Sequence, residues 1–303
     1  MTDASLTNTT ALYQASPQRQ LVKTVLRVLL YILLIAFALF YLAPLFVMVT
    51  TSLKSLEEIR TGDLISLPRE VTFDAWATAW SSACTGIQCD GVKPYFWNSV
   101  LIAVPAVLLS TLIGAVNGYV VAQWRFPGAN IFFALMLFGC FIPFQVVLLP
   151  MARMLGLMGI AGSIPGLIFV HVIYGLGFTT LFFRNYYVTI PSELTKAAKV
   201  DGAGFFRIFF SIFLPLSLPI IVVTVIWQFT QIWNDFLFGV SFSQAGTQPI
   251  TVALNNIVNS TTGVKEYNVD MAAAIIAGLP TLLVYVVAGK YFIRGLTAGS
   301  VKG

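Results

Sequence analysis

Apolar residues in this chain come in long unbroken runs rather than in an alternating or heptad pattern. Stretches free of Asp, Glu, Lys and Arg cover residues 28–53, 94–124, 126–152, 154–183, 208–234 and 271–289. They are 19 to 31 residues long. A helix that crosses a bilayer needs about 20 mostly apolar residues, so six transmembrane helices are predicted. A membrane barrel would instead show repeated alternating segments of about ten residues, and the sequence has none. A seventh charge-free stretch, 236–264, holds twelve Ser, Thr, Asn and Gln, together with Gly246 and Pro249. In hydrocarbon those groups would go unsatisfied, so this stretch reads as a polar loop, with a dip back toward the membrane left open.

Composition supports a lipid environment. Of 303 residues, 58% are hydrophobic and 10% charged, with a mean hydropathy of +0.86. Soluble domains carry about 25% charged residues, which excludes a soluble enzyme, a disordered protein and a coiled coil. The expected fold class is therefore all-α and polytopic. One membrane domain spans 28–295, between tails 1–27 and 296–303. Loops 54–93 and 236–270 lie on one side and the loop 185–207 on the other.

The few charges orient the bundle. With six spans both termini share a side, which receives 11 of the 17 Lys and Arg. The positive-inside bias makes that side cytoplasmic. The basic balance thus reflects topology and does not point to nucleic acid. No cleavable leader is expected, because the first apolar run is a full span that can serve as its own insertion signal.

Three cysteines are present. Cys140 lies inside the third window and reads as a packing residue. Cys84 and Cys89 lie in loop 54–93 as CTGIQC. That side is the oxidising one if the membrane is a bacterial inner membrane, and there the pair can close a disulfide. It lacks the further ligands of a zinc site, and no metal site is expected.

Several chemistries are missing. His171 is the single histidine, which excludes H-E-x-x-H. The single Gly-Lys pair, Gly289-Lys290, lacks the P-loop spacing, and no G-x-S-x-G occurs. If ATP drives this protein, a separate subunit hydrolyses it. Asp235, Lys290 and Arg294 sit only near span ends, so an ion relay has no buried charge to use. That disfavours a self-sufficient secondary transporter, although backbone carbonyls can bind sodium. A membrane-embedded enzyme would need a nucleophile–base pair that the spans lack.

Two segments carry candidate chemistry. In the loop 185–207, Ser192 reads as the N-cap of a short helix, with Glu193 in its first turn, Lys199 in its last and Gly202 at its C-cap. Leu194, Ala197 and Ala198 form a small apolar face. Two readings stand: the helix rests on lipid, or it inserts into a cleft of another protein. In the fifth window Thr224, Gln228, Gln231 and Asp235 share a helical face, with Trp227, Trp233 and Asn234 nearby. Aromatic faces beside groups that both donate and accept suit a sugar; hydrogen bonding between helices is the alternative. Three weaker features complete the reading. His171 and Tyr174 read as an interior pair, Gly114-x-x-x-Gly118 as a close helix approach, and Pro143 and Pro150 as kinks in the third span.

The loop also carries a family pattern. E-A-A-x3-G-x9-I-x-L-P marks inner-membrane subunits of binding-protein-dependent ABC importers. Here it reads Lys196-Ala197-Ala198-x3-Gly202-x9-Ile212-x-Leu214-Pro215, with Lys196 in place of Glu. The surrounding IPSELTKAAKVDGAGFF, the tail GLTAGSVKG and the segment FIPFQVVLLPMARMLGLMG resemble the maltose-type sugar permeases. CTGIQC and QFTQIWNDFLFG look most like the glucose/mannose-type members. The resemblance implies that the loop helix is a coupling helix docked on a cytoplasmic ATPase dimer. Glu193, Lys196, Ala197, Ala198, Asp201, Gly202 and Ala203 would make or shape that contact. Lys196 removes an acidic contact that Glu193 can replace. Residues 295–303 would reach down to the same ATPase. A bacterial inner-membrane permease that pairs with a second permease and a periplasmic sugar-binding protein is then expected. The partner ATPase holds ATP and Mg, and the chain itself holds no cofactor. Thr224, Trp227, Gln228, Gln231, Asn234 and Asp235 become the candidate sugar path. The loop 241–270 would touch the binding protein, with a solvated connector as the alternative.

Overall fold

The structure, a computed structural model, describes residues 17–298 apart from 64, 87, 125 and 261–263. Every regular element among the described residues is a helix. In chain order the first seven are α1 (Pro17–Ser52), α2 (Leu56–Thr61), α3 (Asp74–Ser81), α4 (Lys93–Gln123), α5 (Ala129–Cys140), α6 (Phe144–Leu157) and α7 (Ile164–Tyr187). Then come α8 (Ser192–Val200), α9 (Phe205–Ile208), a π-helical turn at Phe209–Phe213, α10 (Leu214–Leu216), α11 (Leu218–Trp233), α12 (Leu237–Phe242), α13 (Ile250–Val258) and α14 (Tyr267–Ala298). The two tails fall largely outside the described residues. Where they are described they are helical, since α1 starts at Pro17 and α14 runs to Ala298.

Helices α4 and α7 pack along their length. The reason is a stripe of small buried residues on α4: Ala103, Ala106, Ser110, Gly114 and Gly118. A Cβ at Gly114 would lie 2.5 Å from Thr179 Cβ, and one at Gly118 would lie 2.6 Å from Phe183 Cβ. Only glycine lets the backbones approach so far. Without a hydrophobic drive between helices in lipid, such packing is the main source of association. Around this pair sit α11, which also touches α14, and α14 carries α1 and α3. Trp233 Nε1 donates to the Ala277 carbonyl at 2.9 Å and fastens α11 to α14. Helix α1 exposes apolar side chains from Leu21 to Phe46 on every face, as a lipid-facing helix does.

Four helices are individually long and apolar enough to span, and the count reaches six if each of two bent pairs crosses as one. The third and fifth windows are therefore not single straight helices. Phe141-Ile142-Pro143 separates α5 from α6, which meet at 102°. At 12 and 14 residues each is shorter than a bilayer core requires. Proline at 143 cannot donate to a continuing ladder, which places the break there; Pro150 stays inside α6. The fourth window is also corrected, because its first residues belong to α6 and α7 starts only at Ile164. In the fifth window Ser217 separates a segment 205–216 from α11 at 75°. Pro215 and Pro219 flank that break.

Among its described residues the polar stretch 236–264 is largely helical and packed, not the loop expected. Helices α12 and α13 bury Phe238, Phe242, Ile250, Val252, Ala253 and Ile257. Its polar backbone is satisfied by neighbours: Asn98 Nδ2 donates to the carbonyls of Gly246 and Gln248 at 2.9 and 3.0 Å. The Ile250 amide donates to Ser99 Oγ at 2.9 Å, and Thr247 Oγ1 donates to the Gly162 carbonyl at 2.8 Å. Cys84 and Cys89 are joined by a disulfide. Tyr95 of α4 holds the resulting loop through the Thr85 hydroxyl at 2.8 Å and Gln88 Oε1 at 3.3 Å.

Gly118→Leu should force α4 and α7 apart. Overpacking of about 1–3 kcal/mol should lower the thermal midpoint in detergent by about 2–12 °C. Gly139→Ala, with nothing within 4 Å of the new Cβ, should leave the midpoint unchanged or raise it.

Candidate functional site

Two regions gather the candidate residues. The first is α8 and its supports. Its N-cap position is Pro191 and not Ser192, and Pro191 makes no side-chain cap. The Ser192 hydroxyl instead donates to Glu193 Oε1 at 3.3 Å. The backbone amide of Glu193, then the Ser192 hydroxyl and Lys196, hold the Glu193 carboxyl below its ordinary range. At the far end the amides of Asp201, Gly202 and Ala203 donate to the carbonyls of Ala197, Lys199 and Ala198 at 3.0, 3.1 and 2.9 Å. Gly202 has φ +76°, a left-handed conformation that side chains rarely adopt. The sharp exit that the sequence implied is present.

The apolar face is distributed differently from the sequence reading. Thr195 is buried, and Ala198 packs partly buried against the body with Ala203. Leu194 is 42% exposed, Val200 88%, and Ala197 is exposed. The outward apolar patch is thus Leu194, Ala197 and Val200, bordered by exposed Lys196 and Lys199.

Beneath α8 lies an aromatic cluster of Tyr119, Phe183, Tyr187, Phe209 and Phe213. Tyr119 rests against the rings of Phe205, Phe209 and Phe213 at 4.6, 5.1 and 4.8 Å between centroids. Its hydroxyl donates to the Phe205 carbonyl at 3.0 Å. Ser217 Oγ donates to Tyr187 Oη at 3.0 Å, and Tyr186 Oη donates to the Leu216 carbonyl at 2.7 Å. The block of rings thus joins α4, α7 and the segment that enters α11, and α8 meets it through Ala198.

The second region is a cavity of about 260 Å³ among α5, α6, α7, α11 and α12. Four of the six residues proposed from the fifth window line it: Trp227, Gln228, Gln231 and Asp235. Thr224 does not; it is fully buried, and its hydroxyl donates to the Ile220 carbonyl of its own helix at 2.7 Å. Asn234 turns toward α14, where its Oδ1 accepts from Thr281 Oγ1 at 3.4 Å. The cavity adds residues that the window missed: His171, Tyr174 and Gly175 from α7, with Cys140, Phe144 and Phe238. Their only sequence signal was the His171–Tyr174 pair, read as an interior contact. Asp235 accepts from the amides of Phe238 and Gly239 at 3.3 and 3.0 Å and so starts α12. Among the described residues no three of His, Cys, Asp and Glu cluster as a metal site.

A polytopic helical bundle with broken spans, a cavity between them and a short helix at one end is the architecture of a membrane permease. The chain belongs to the family of binding-protein-dependent transport system inner membrane components, whose model matches residues 110–297. A probable ABC transporter permease of Pyrococcus horikoshii is 40% identical over 91% of this chain and 98% of its own length. The xylose/arabinose import permease of Haloferax volcanii is 34% identical, covering 89% of this chain and 92% of its own. The glucose import permease of Saccharolobus solfataricus is 31% identical, covering 90% and 95%. A solved bacterial ABC transporter that imports the acidic polysaccharide alginate shares the fold, with TM-score 0.78, 21% identity and coverage of 89% of this chain and 98% of that one. The chain is thus a multi-pass inner-membrane component of an ABC importer.

Tyr119→Phe removes the donor to the Phe205 carbonyl and keeps the ring. It should cost about 1 kcal/mol, a midpoint about 2–4 °C lower by thermal unfolding. Tyr119→Ala loses the rings as well and should cost about 3–5 kcal/mol.

Proposed function

We propose that the chain is a permease subunit of an ATP-driven sugar importer, with a neutral monosaccharide of the glucose or mannose type as its cargo. The observation that carries this reading is α8. A short helix seated on a rigid ring cluster, with Leu194, Ala197 and Val200 turned outward, fits a groove in a partner better than a lipid surface. In the proposed assembly the partner is a cytoplasmic ATPase dimer that binds ATP and Mg. Asp201, Gly202 and Ala203 give α8 its sharp exit, and Glu193, Lys196 and Lys199 border the contact. A second permease completes the path, and a periplasmic sugar-binding protein delivers the sugar near α12 and α13. ATP closes the dimer, α8 moves with it, and the linked spans alternate between outward and inward access. Both termini then lie in the cytoplasm, in accord with the excess of Lys and Arg on their side. Support for the sugar comes from relatives that import xylose/arabinose and glucose, together with the cavity of hydroxyl-binding groups.

The test is uptake by proteoliposomes holding the assembled transporter. Gly202→Asp meets no neighbouring atom, and left-handed strain of about 1–2 kcal/mol at this one residue should leave the chain able to insert and fold. It should nevertheless lose ATP-dependent uptake and co-purification with the ATPase. Normal uptake in that variant would sink the assignment, as would sugar uptake by the purified chain alone on an ion gradient. A cysteine at the exposed Ala197 should crosslink to the ATPase more readily than one at the half-buried Ala198.

A further inference from the structure

We infer that the cavity between α7 and α11 is a sugar-binding site contributed by this chain, and that it holds a single neutral, multiply hydroxylated ring. The inference rests on the importer reading above and adds what the permease itself recognises.

Gln228 carries the argument. It is 2% exposed, lines the cavity, and its Oε1 has no hydrogen-bond partner. Its Nε2 reaches only the His171 carbonyl, at 3.5 Å. A buried amide oxygen left without a donor costs about 1–3 kcal/mol, and a ligand hydroxyl at this position would remove that cost. The amide is held there by α7, because any Cβ at Gly175 would overlap the Gln228 side chain. One helical turn further on, Gln231 is exposed at the rim of the same cavity.

Opposite, His171 Nε2 and Asp235 Oδ2 stand 3.9 Å apart. That is too far for a direct hydrogen bond, and one ligand hydroxyl lying beside the gap can reach both atoms. Such a hydroxyl would donate its proton to the carboxylate and, through an oxygen lone pair, accept from the imidazole N–H. Donors and acceptors thus converge from three directions, which matches a ring with hydroxyls around its edge. The rings of Tyr174 and Phe238, 5.3 Å apart, and Trp227 supply flat apolar walls for its C–H faces.

Size and charge narrow the ligand. Pockets for drug-sized molecules run about 300–1,000 Å³, so 260 Å³ suits something smaller, such as one sugar ring. No Lys or Arg lines the cavity, and Asp235 would repel an anion. The lining therefore favours a neutral sugar over an acidic one.

The chain carries its own reporter. Cys140 lines the cavity, and it is the free thiol because Cys84 and Cys89 are bonded. The assembled transporter in nanodiscs would be treated with N-ethylmaleimide, and modification of the Cys140 peptide followed by mass spectrometry. D-glucose, D-mannose, D-xylose and maltose would be tested as protectants, with D-glucuronate as the charged control. At ten times its Kd, a bound neutral sugar should slow alkylation by about tenfold. Glucuronate should not protect. Gln228→Leu should abolish protection, and Gln231→Ala, at the exposed rim where folding is not at stake, should weaken it. Protection by none of the neutral sugars would overturn the site, as would equal protection by glucuronate or a thiol that the reagent cannot reach. Failure of the importer reading is distinct: it appears as absent ATP-dependent uptake in the wild-type transporter, whatever happens at Cys140.

Discussion

The contact of α4 with α7 through Gly114, Gly118 and Thr179 is the constraint on which the rest of the structure depends. In a bilayer the solvent is as apolar as the side chains, so helices gain little by merely burying leucine. They gain by close packing, and glycine permits the closest. The pair supplies one wall to each of the two regions described above. Toward one end Tyr119, Phe183 and Tyr187 extend the interface into the ring cluster that seats α8. Further along α7, His171, Tyr174 and Gly175 line the cavity. Helix α7 is common to both: its Phe183 and Tyr187 belong to the cluster that Ala198 of α8 meets, and its His171, Tyr174 and Gly175 line the cavity.

Broken spans are the second theme. Pro143 between α5 and α6 and Ser217 before α11 interrupt helices that would otherwise run straight. Backbone groups freed at such breaks need partners, and they have them: the Leu216 carbonyl accepts from Tyr186, and the Ile142 carbonyl accepts from Tyr174 at 3.3 Å. Both tyrosines belong to α7. The breaks are thus tied to α7, which lines the cavity together with α5, α6 and α11.

Much of this was legible in the chain. Charge-free runs located the apolar helices, and the Gly114–Gly118 spacing announced the tight pair. The residues after α8 announced the turn at Gly202. The i, i+4, i+7, i+11 spacing brought Gln228, Gln231 and Asp235 to one face, and that face does line the cavity. The same spacing also included Thr224, whose hydroxyl is taken by its own helix, and proximity alone suggested Asn234, which faces α14. Helical periodicity reports direction around an axis; it says nothing of whether a neighbour stands off or closes in. Ala198 shows the same limit, since its apolar side chain meets the body of the protein while Ala197 beside it stays outside.

By itself the sequence determined that lipid is the solvent, that helices carry the fold, and that a short helix lies in the loop 185–207. These follow from local facts: charge content, run length and residue spacing. Only the tertiary structure decided that the fifth apolar run bends as the third does, that the polar stretch 236–264 folds into α12 and α13, and that His171 faces Asp235 across a gap. Each of those depends on which carbonyl or amide another helix brings within reach, and that is a property of packing between segments far apart in the chain.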